Sequence, residues 1–148
     1  MRAEDIMTRD PACCTPDTKL REVAQLMVEH DCGEIPVVKS KHDATPVGVL
    51  TDRDIVCRIV AEGKNPVDMT AADCMSTPCV SVTEDSSVDD CCRIMEENQI
   101  RRVPVVDHAG SCCGIVAQAD VAMHTDLGKT GHVVGKVSQP SEQASRVR

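Results

Sequence analysis

The chain has 148 residues, of which 41% are apolar and 27% are charged, and a net charge of −8. Its size suits one compact domain, and its acidic balance argues against nonspecific nucleic-acid binding, which depends on neutralisation of phosphates by Lys and Arg. The longest apolar runs fall far short of the roughly 20 residues that a membrane span needs, and the start MRAEDIMTRD lacks the apolar stretch of a secretory signal. We therefore expect a cytoplasmic protein with no membrane and no direct nucleic-acid partner.

The hydrophobic pattern predicts the element order β-α-β-β-α twice along the chain. In the first copy, a short strand near Ala12–Thr15 is followed by helical spacing, two strands at IPVV and PVGVL, and a helix at TDRDIVCRIV. In the second copy, a strand near Cys79–Val82 precedes helical spacing, strands at VPVV and CCGIV, and a helix at QADVAMHT. The apolar helical positions are Leu20, Val23, Ala24 and Met27 in the first copy and Val88, Cys91, Cys92 and Met95 in the second.

These segments are two copies of one unit. Asp5, Met7 and Pro36 align with Asp73, Met75 and Pro104, and the apolar positions between them match, so the chain contains an internal duplication. We predict units at 1–62 and 73–126, joined by a connector at 63–72 that Gly63 and Pro66 break. Residues 127–148 show little periodicity and are predicted to be a C-terminal tail, frayed at SQPSEQASRVR.

The stretch GVLTDRDIV recurs as GIVAQADVA, in which Asp120 matches Asp54 and Ala117 replaces Thr51. Thr51 and Asp54 fit a capping box, where a hydroxyl and a carboxylate satisfy the amides at a helix start. A pure cap would suffer most from the loss of its Thr, so a copy that keeps only the Asp favours a ligand role. Asp52 and Asp54 are two residues apart and make a poor acid/base pair. The chain also lacks P-loop, G-x-S-x-G and H-E-x-x-H motifs, so no enzyme is expected.

The ten cysteines include no C-x-x-C pair, so the strongest zinc and redox signals are missing. Several stand where the other copy has an aliphatic residue: Cys14 aligns with Val82, Cys113 with Val47 and Cys57 with Met123. We therefore predict that the cysteines act mainly as small buried hydrophobic residues. A redox or metal role for a subset, such as His108 with Cys112, stays open.

Two units with an h-P-V strand followed by G-h-h-(T/S)-x-x-D-h resemble a tandem pair of CBS domains, or Bateman module, over about Ala3 to Thr125. LTDRDIV and MEENQIRRVPVV especially resemble small stand-alone CBS-pair proteins such as the mycobacterial hypoxic response proteins. The resemblance implies an α+β fold of two β-α-β-β-α units packed with pseudo-twofold symmetry. It also implies clefts between the units that accept adenine nucleotides or related adenosyl ligands, including S-adenosylmethionine, with no obligatory cofactor and no metal site.

In this family the motif Asp holds the ribose hydroxyls, the Thr assists, and a basic residue before the h-P-V strand of the other unit reaches phosphate. Carried onto this chain, the resemblance assigns Thr51, Asp54, Arg101 and Arg102 to a first cleft. The second cleft keeps Asp120 but has Ala117 and Gly33-Glu34 in place of the hydroxyl and the two cations. We therefore expect the first cleft to bind AMP, ADP or ATP, and the second to be empty, weaker or selective for an uncharged adenosyl group.

The resulting hypothesis is a non-catalytic regulatory protein that binds an adenine nucleotide and transmits its occupancy to an unknown protein partner. The family also implies a homodimer. Two alternatives remain: a scaffold or dimerisation module with empty clefts, and a thiol-based redox or metal sensor.

Overall fold

A computed structural model describes residues 1–140 as two α+β units related by a pseudo-twofold axis, which confirms the predicted fold class. The helices are α1 (Ala3–Ile6), α2 (Leu20–Glu29), α3 (Asp52–Ile55), α4 (Val88–Asn98), α5 (Gln118–His124) and α6 (Leu127–Val137). The strands are β1 (Thr8–Arg9), β2 (Glu34–Ser40), β3 (Asp43–Thr51), β4 (Val82–Thr83), β5 (Arg102–Val106) and β6 (Cys112–Ala117). A π-helical turn at Val56–Val60 extends α3, and 3-10 turns follow at Pro66–Asp68 and Ala71–Asp73.

The two sheets are built on the predicted hairpins. β2 and β3 pair antiparallel in the first unit, and in the second unit the strand order is β1-β6-β5-β4. The strand expected at Ala12–Thr15 is reduced to a single bridge between Cys14 and Val37, because Pro11 and Pro16 flank it and proline has no N–H to donate to a ladder. The strand expected at Cys79–Val82 starts only at Val82.

The opening segment of each unit pairs with the sheet of the other unit. β1 pairs with β6 of the second unit, where Thr8 is opposite Ile115 and Arg9 opposite Gly114. In the same way, Ser76 exchanges both backbone hydrogen bonds with Val49 of the first unit, at 3.1 and 2.8 Å. The two units are therefore joined by strand pairing as well as by side-chain packing.

The crossing explains the glycine that opens both copies of the GVLTDRDIV motif. A Cβ at Gly48 would lie 2.8 Å from the Ser76 carbonyl oxygen, and a Cβ at Gly114 would collide with the Met7 sulfur. Only a residue without a side chain lets the crossing segment approach the sheet this closely.

Two separate cores contain aliphatic, Met and Cys side chains. The predicted helix positions are buried in both units, except that Ala24 is exposed. The first core comprises Cys14, Leu20, Val23, Met27, Ile35, Val37, Leu50, Ile59, Ala71 and Cys74. The second takes Ala3, Ile6 and Met7 from the start of the chain and combines them with side chains from α4, α5, α6, β5 and β6.

The predicted C-terminal tail shows little periodicity in its sequence, yet its first half is helical. Residues Leu127–Val137 form α6, whose start is capped by the Asp126 carboxylate, which accepts the Lys129 N–H at 2.8 Å. Val133 and Val137, one helical turn apart, are buried in the second core. Three glycines lower the helix propensity of this segment, so packing against α4 and α5 decides its structure. The end of the predicted tail, residues 141–148, lies outside the described residues. Across 1–140, no helix is both long and apolar enough to cross a membrane.

Candidate functional site

A cavity of about 320 Å³ lies between the two units, at the cleft that contains Asp120. The first unit contributes its crossing segment, residues 8–12, together with His30, Asp31, Cys32 and Glu34. The second unit contributes Arg102 from β5, Ile115 and Ala117 from β6, and Asp120 from α5. The structure thus brings two of the predicted site residues, Arg102 and Asp120, into one cavity.

Asp120 is held at the start of α5 by its own helix. One carboxylate oxygen, Oδ2, accepts the Ala117 N–H at 2.7 Å, which satisfies an amide that the helix leaves unpaired. This bond fixes the orientation of the carboxylate without any hydroxyl at position 117. Asp120 therefore combines a capping role with a position on the cavity wall.

The structure separates the two predicted arginines. Arg102 is opposite Ala117 in the β5–β6 pairing, which puts it beside the start of α5 and therefore beside Asp120. Arg101, which directly precedes β5, is exposed, and its carbonyl accepts the Gln118 N–H at 2.9 Å. The expectation that the Asp120 cleft lacks a cation is wrong, because Arg102, the first residue of β5, lines this cleft together with Arg9.

Glu34 lines the same cavity, as the alignment of the two units suggested, and it is 6% exposed. Burial raises the pKa of its carboxyl to about 7, and nearby Asp54 adds to the rise while Arg102 opposes it. The charge of this wall therefore changes near neutral pH. Burial of Glu34 is not among the predictions made from the sequence, although its position directly before the apolar run IPVV indicates burial.

Thr51 and Asp54 form the capping box that their spacing predicts. The Asp54 N–H donates to Thr51 Oγ1 at 3.1 Å, and the Thr51 N–H donates to Asp54 Oδ2 at 3.0 Å. The other carboxylate oxygen lies 3.7 Å from Arg58 Nε. Arg58 also donates to the carbonyls of Cys74 and Met75, at 3.1 and 3.3 Å. Asp54 is thus engaged by its own unit and is not on the wall of the Asp120 cavity.

Arg58 is a cation that sequence reasoning missed, although it stands four residues after Asp54, a spacing that brings two side chains together on a helix. Asp52 behaves as a helix-end carboxylate, as predicted, since its Oδ1 accepts the N–H of Arg53 at 2.8 Å.

The cysteines divide into three environments. Cys14, Cys74, Cys91 and Cys92 are buried in the two cores, and burial raises the pKa of Cys14 and of Cys91 to about 11. Cys57 is exposed, contrary to the general prediction, and the remaining cysteines are half-buried. His108 lies 3.5 Å from the Glu84 and Asp85 carboxylates, rather than forming the Cys112 pair that the sequence suggested. Within residues 1–140, no three His, Cys, Asp or Glu side chains are gathered to hold a metal ion.

Comparison with known proteins gives matches over most of the chain. The model of the CBS domain matches residues 3–61 and 71–125. Hypoxic response protein 1 of Mycobacterium tuberculosis is 35% identical over 143 residues, which are 97% of this chain and 98% of that protein. An uncharacterized protein of Methanopyrus kandleri is 37% identical over 117 residues, which are 79% of this chain but only 59% of its own length.

Two solved structures share the fold at useful identity. A crystal structure of hypoxic response protein I with two coordinated zinc ions has a TM-score of 0.76 and 36% identity, and covers 85% of this chain and 100% of its own. The CBS domain pair of protein MJ0100, in complex with 5-methylthioadenosine and S-adenosyl-L-methionine, has a TM-score of 0.74 and 27% identity, and covers 83% of this chain and 98% of its own. Because the same family model matches both units and most of the chain, the chain belongs to the CBS-domain family and contains a tandem pair of CBS domains.

Proposed function

We propose that this protein is a non-catalytic regulatory module that binds an adenosyl ligand in the cavity at Asp120 and transmits its occupancy to a partner protein. The observation that carries the proposal is the cavity between the units, which joins a fixed carboxylate, Asp120, to a guanidinium, Arg102. Its volume of about 320 Å³ is at the lower end of the range for small-molecule pockets, ~300–1,000 Å³. Stand-alone CBS-pair proteins are generally regulatory and without catalytic activity, and the MJ0100 pair binds adenosyl compounds.

The charges around the cavity favour a ligand with few phosphates. A carboxylate such as that of Asp120 accepts hydrogen bonds from the two hydroxyls of a ribose. Glu34 becomes an anion as the pH rises through about 7, and it then repels a neighbouring phosphate. Two guanidiniums line the cavity, those of Arg9 and Arg102, against four carboxyl groups, those of Asp10, Asp31, Glu34 and Asp120. We therefore expect methylthioadenosine, S-adenosylmethionine or AMP to bind more tightly than ATP.

We rank the predicted nucleotide site at Thr51, Asp54, Arg101 and Arg102 second. A ligand there must share or displace the bonds that Asp54 makes to the Thr51 N–H and to Arg58. Arg102 lies on the wall of the other cleft and Arg101 is exposed, so the case for phosphate binding by this pair is weaker. Arg58, whose Nε lies 3.7 Å from Asp54 Oδ1, is the best candidate to meet a phosphate there.

Ligand binding in the cavity is transmitted to a partner protein by a change in the relative arrangement of the two units. A ligand in the cavity contacts the crossing segment of the first unit and α5 of the second, so it binds one relative arrangement more tightly than another and shifts the population toward it. We propose a homodimer as the assembly that presents this change. Val56, Val60 and Met123, on the helices that follow the two motifs, are exposed apolar side chains that an interface would cover.

The test is isothermal titration of the full chain with methylthioadenosine, S-adenosylmethionine, AMP and ATP, for the wild type and for Asp120→Asn and Asp54→Asn. We expect binding that Asp120→Asn abolishes and that Asp54→Asn retains, because only Asp120 lines the cavity. Asp126→Asn is the matched control for the loss of a helix cap outside both clefts, since Asp126 caps α6.

Loss of binding in Asp54→Asn alone would move the site to the other cleft and restore the nucleotide hypothesis. If no ligand of the panel binds the folded wild type, the proposal fails in favour of a scaffold with empty clefts, in which Asp54 and Asp120 serve only as helix caps.

A further inference from the structure

Glu34 and Arg102 occupy the same position in the two copies of the unit. Glu34 is the first residue of β2 and lies opposite Thr51, and Arg102 is the first residue of β5 and lies opposite Ala117. Thr51 and Ala117 are the residues that directly precede α3 and α5. The side chains of Glu34 and Arg102 both line the cavity at Asp120, so equivalent positions of the two units supply one carboxyl and one guanidinium to one cavity.

Glu34 is buried without an ion-pair partner. It is 6% exposed and is the only buried polar or charged residue among residues 1–140. Within the same part of the chain, no Lys, Arg or His side chain forms an ion pair with it. A buried carboxylate without a partner loses its hydration, so burial favours the protonated form and raises the pKa of Glu34 to about 7. Near neutral pH, a charge that enters the cavity therefore shifts Glu34 toward one form or the other.

The groups around Glu34 give the cavity a small excess of negative charge. The wall also carries the charged or titratable side chains of Arg9, Asp10, His30, Asp31, Arg102 and Asp120. With His30 neutral, ionisation of Glu34 changes the wall from two positive and three negative charges to two positive and four negative charges. A cation is therefore attracted more strongly, and an anion less strongly, when Glu34 is charged.

Three further groups lie near Glu34 outside this wall. Asp54, at the start of α3, is one, and the thiols of Cys79 and Cys112 are the other two. Burial raises the pKa of Cys79 to about 11, and the Cys112 thiol donates to a backbone carbonyl of β6 at 3.8 Å, so both thiols stay protonated near pH 7. An imidazole such as that of His30 is the other kind of group that exchanges a proton near neutral pH.

We propose that the protonation state of Glu34 selects the charge of the ligand in this cavity, so that the neutral carboxyl admits an anionic adenosyl ligand and the carboxylate favours a cationic one. This inference rests on the proposed function and adds a proton to it. An anion that binds beside Glu34 stabilises the neutral form and takes up a proton, so its affinity falls as the pH rises through about 7. A cation stabilises the carboxylate and releases a proton, so its affinity rises over the same interval.

The test is isothermal titration of the full chain at pH 7 with three ligands. AMP is the anion, S-adenosylmethionine is the cation because of its sulfonium, and methylthioadenosine is the uncharged control. Each titration is run in PIPES and in imidazole buffer, because the difference between the measured heats gives the number of protons exchanged. We expect AMP to take up protons, S-adenosylmethionine to release them, and methylthioadenosine to fall between the two. From pH 6 to pH 8, the affinity for AMP should fall and that for S-adenosylmethionine should rise, each by up to ~10-fold per pH unit.

Three variants assign the exchanged proton to one group. Glu34→Gln keeps the shape of the neutral side chain and should remove the opposite signs, whereas His30→Gln should keep them. Glu29→Gln is the matched control for the loss of a glutamate, since Glu29 is exposed on α2 and does not line the cavity. The phosphate of AMP itself titrates near pH ~6, and the uptake that remains in Glu34→Gln measures that contribution. Proton release by S-adenosylmethionine in His30→Gln does not depend on the folding of Glu34→Gln.

Proton exchange of the same sign with AMP and S-adenosylmethionine would overturn the inference, as would opposite signs that persist in Glu34→Gln and vanish in His30→Gln. Binding without proton exchange would overturn this inference alone and leave the proposed function intact. If none of the three ligands binds, the proposed function fails and this inference fails with it.

Discussion

Glu34 makes the stability of this protein depend on pH in a direction opposite to that of most carboxylates. Its pKa rises from 4.5 to about 7 on folding, so the folded chain binds a proton that the unfolded chain has lost over this interval. Stability is therefore greatest at low pH in this window and falls as the pH rises from about 4.5 to about 7. Each tenfold change in proton affinity is worth ~1.4 kcal/mol, so the free energy of unfolding should fall by about 3 kcal/mol.

The substitution Glu34→Gln tests this reasoning, because Gln keeps the size and polarity of the protonated side chain but does not ionise. We expect the variant to match the wild type near pH 5 and to exceed its free energy of unfolding by about 2–3 kcal/mol at pH 8. The chain has no Trp, Tyr or Phe, so urea unfolding is followed by far-UV circular dichroism instead of intrinsic fluorescence.

Glu29→Gln is the matched control, since Glu29 is an exposed glutamate of α2 and its substitution should leave the pH profile unchanged. Hydrogen bonds in the folded state lower the pKa values of three other carboxyl groups, Asp17, Asp43 and Asp90. Their contributions to the pH dependence of stability therefore lie below the pH interval over which Glu34 acts. Parallel stability curves for the wild type and Glu34→Gln from pH 5 to pH 8 would refute the buried-carboxylate argument.

Three further predictions concern the stability of the two units, each measured as the change in urea midpoint. Thr51→Ala should lower the free energy of unfolding by about 1 kcal/mol, because it removes the hydroxyl that caps α3. Ala117→Thr should raise it by up to ~1 kcal/mol, because it supplies the cap that α5 lacks. Equally small effects of both substitutions would mean that neither cap contributes to stability. Gly48→Ala should destabilise by about 1–3 kcal/mol, because its Cβ would lie 2.8 Å from the Ser76 carbonyl oxygen, whereas Gly131→Ala, which meets nothing within 4 Å, should not. Met95→Ala should cost about 2–5 kcal/mol by opening a cavity in the second core, and a cost below 1 kcal/mol would show that this core collapses around the gap.

The cysteines show how well alignment of the two copies predicts burial. It identifies Cys14, Cys74, Cys91 and Cys92 as core residues, because their counterparts are aliphatic and a small apolar thiol fits such a site. It fails for Cys57, whose counterpart Met123 is itself 79% exposed. The exposure of the counterpart does not decide the outcome either, since Cys92 is buried although its counterpart Ala24 is exposed.

The position of Arg102 shows what alignment does not supply. The sequence places Arg101 and Arg102 side by side before Val103-Pro104-Val105, and the family resemblance assigns both to the cleft that contains Asp54. In the structure Arg101 precedes β5 and is exposed, whereas Arg102 is the first residue of β5. The register Arg102–Ala117 decides which cleft receives the Arg102 guanidinium. Register is set by pairing with a strand elsewhere in the chain, and a local pattern does not report it.

By itself, the sequence determined the duplication, the β2–β3 and β5–β6 hairpins, the main helices and the capping motifs, because each of these rests on contacts between residues close in the chain. Only the tertiary structure decided that the opening segment of each unit pairs with the other unit, that α6 is helical, that Glu34 is buried, and that Arg102 and Asp120 share one cavity. These features depend on packing between distant segments, whose free energy of burial outweighs local propensity.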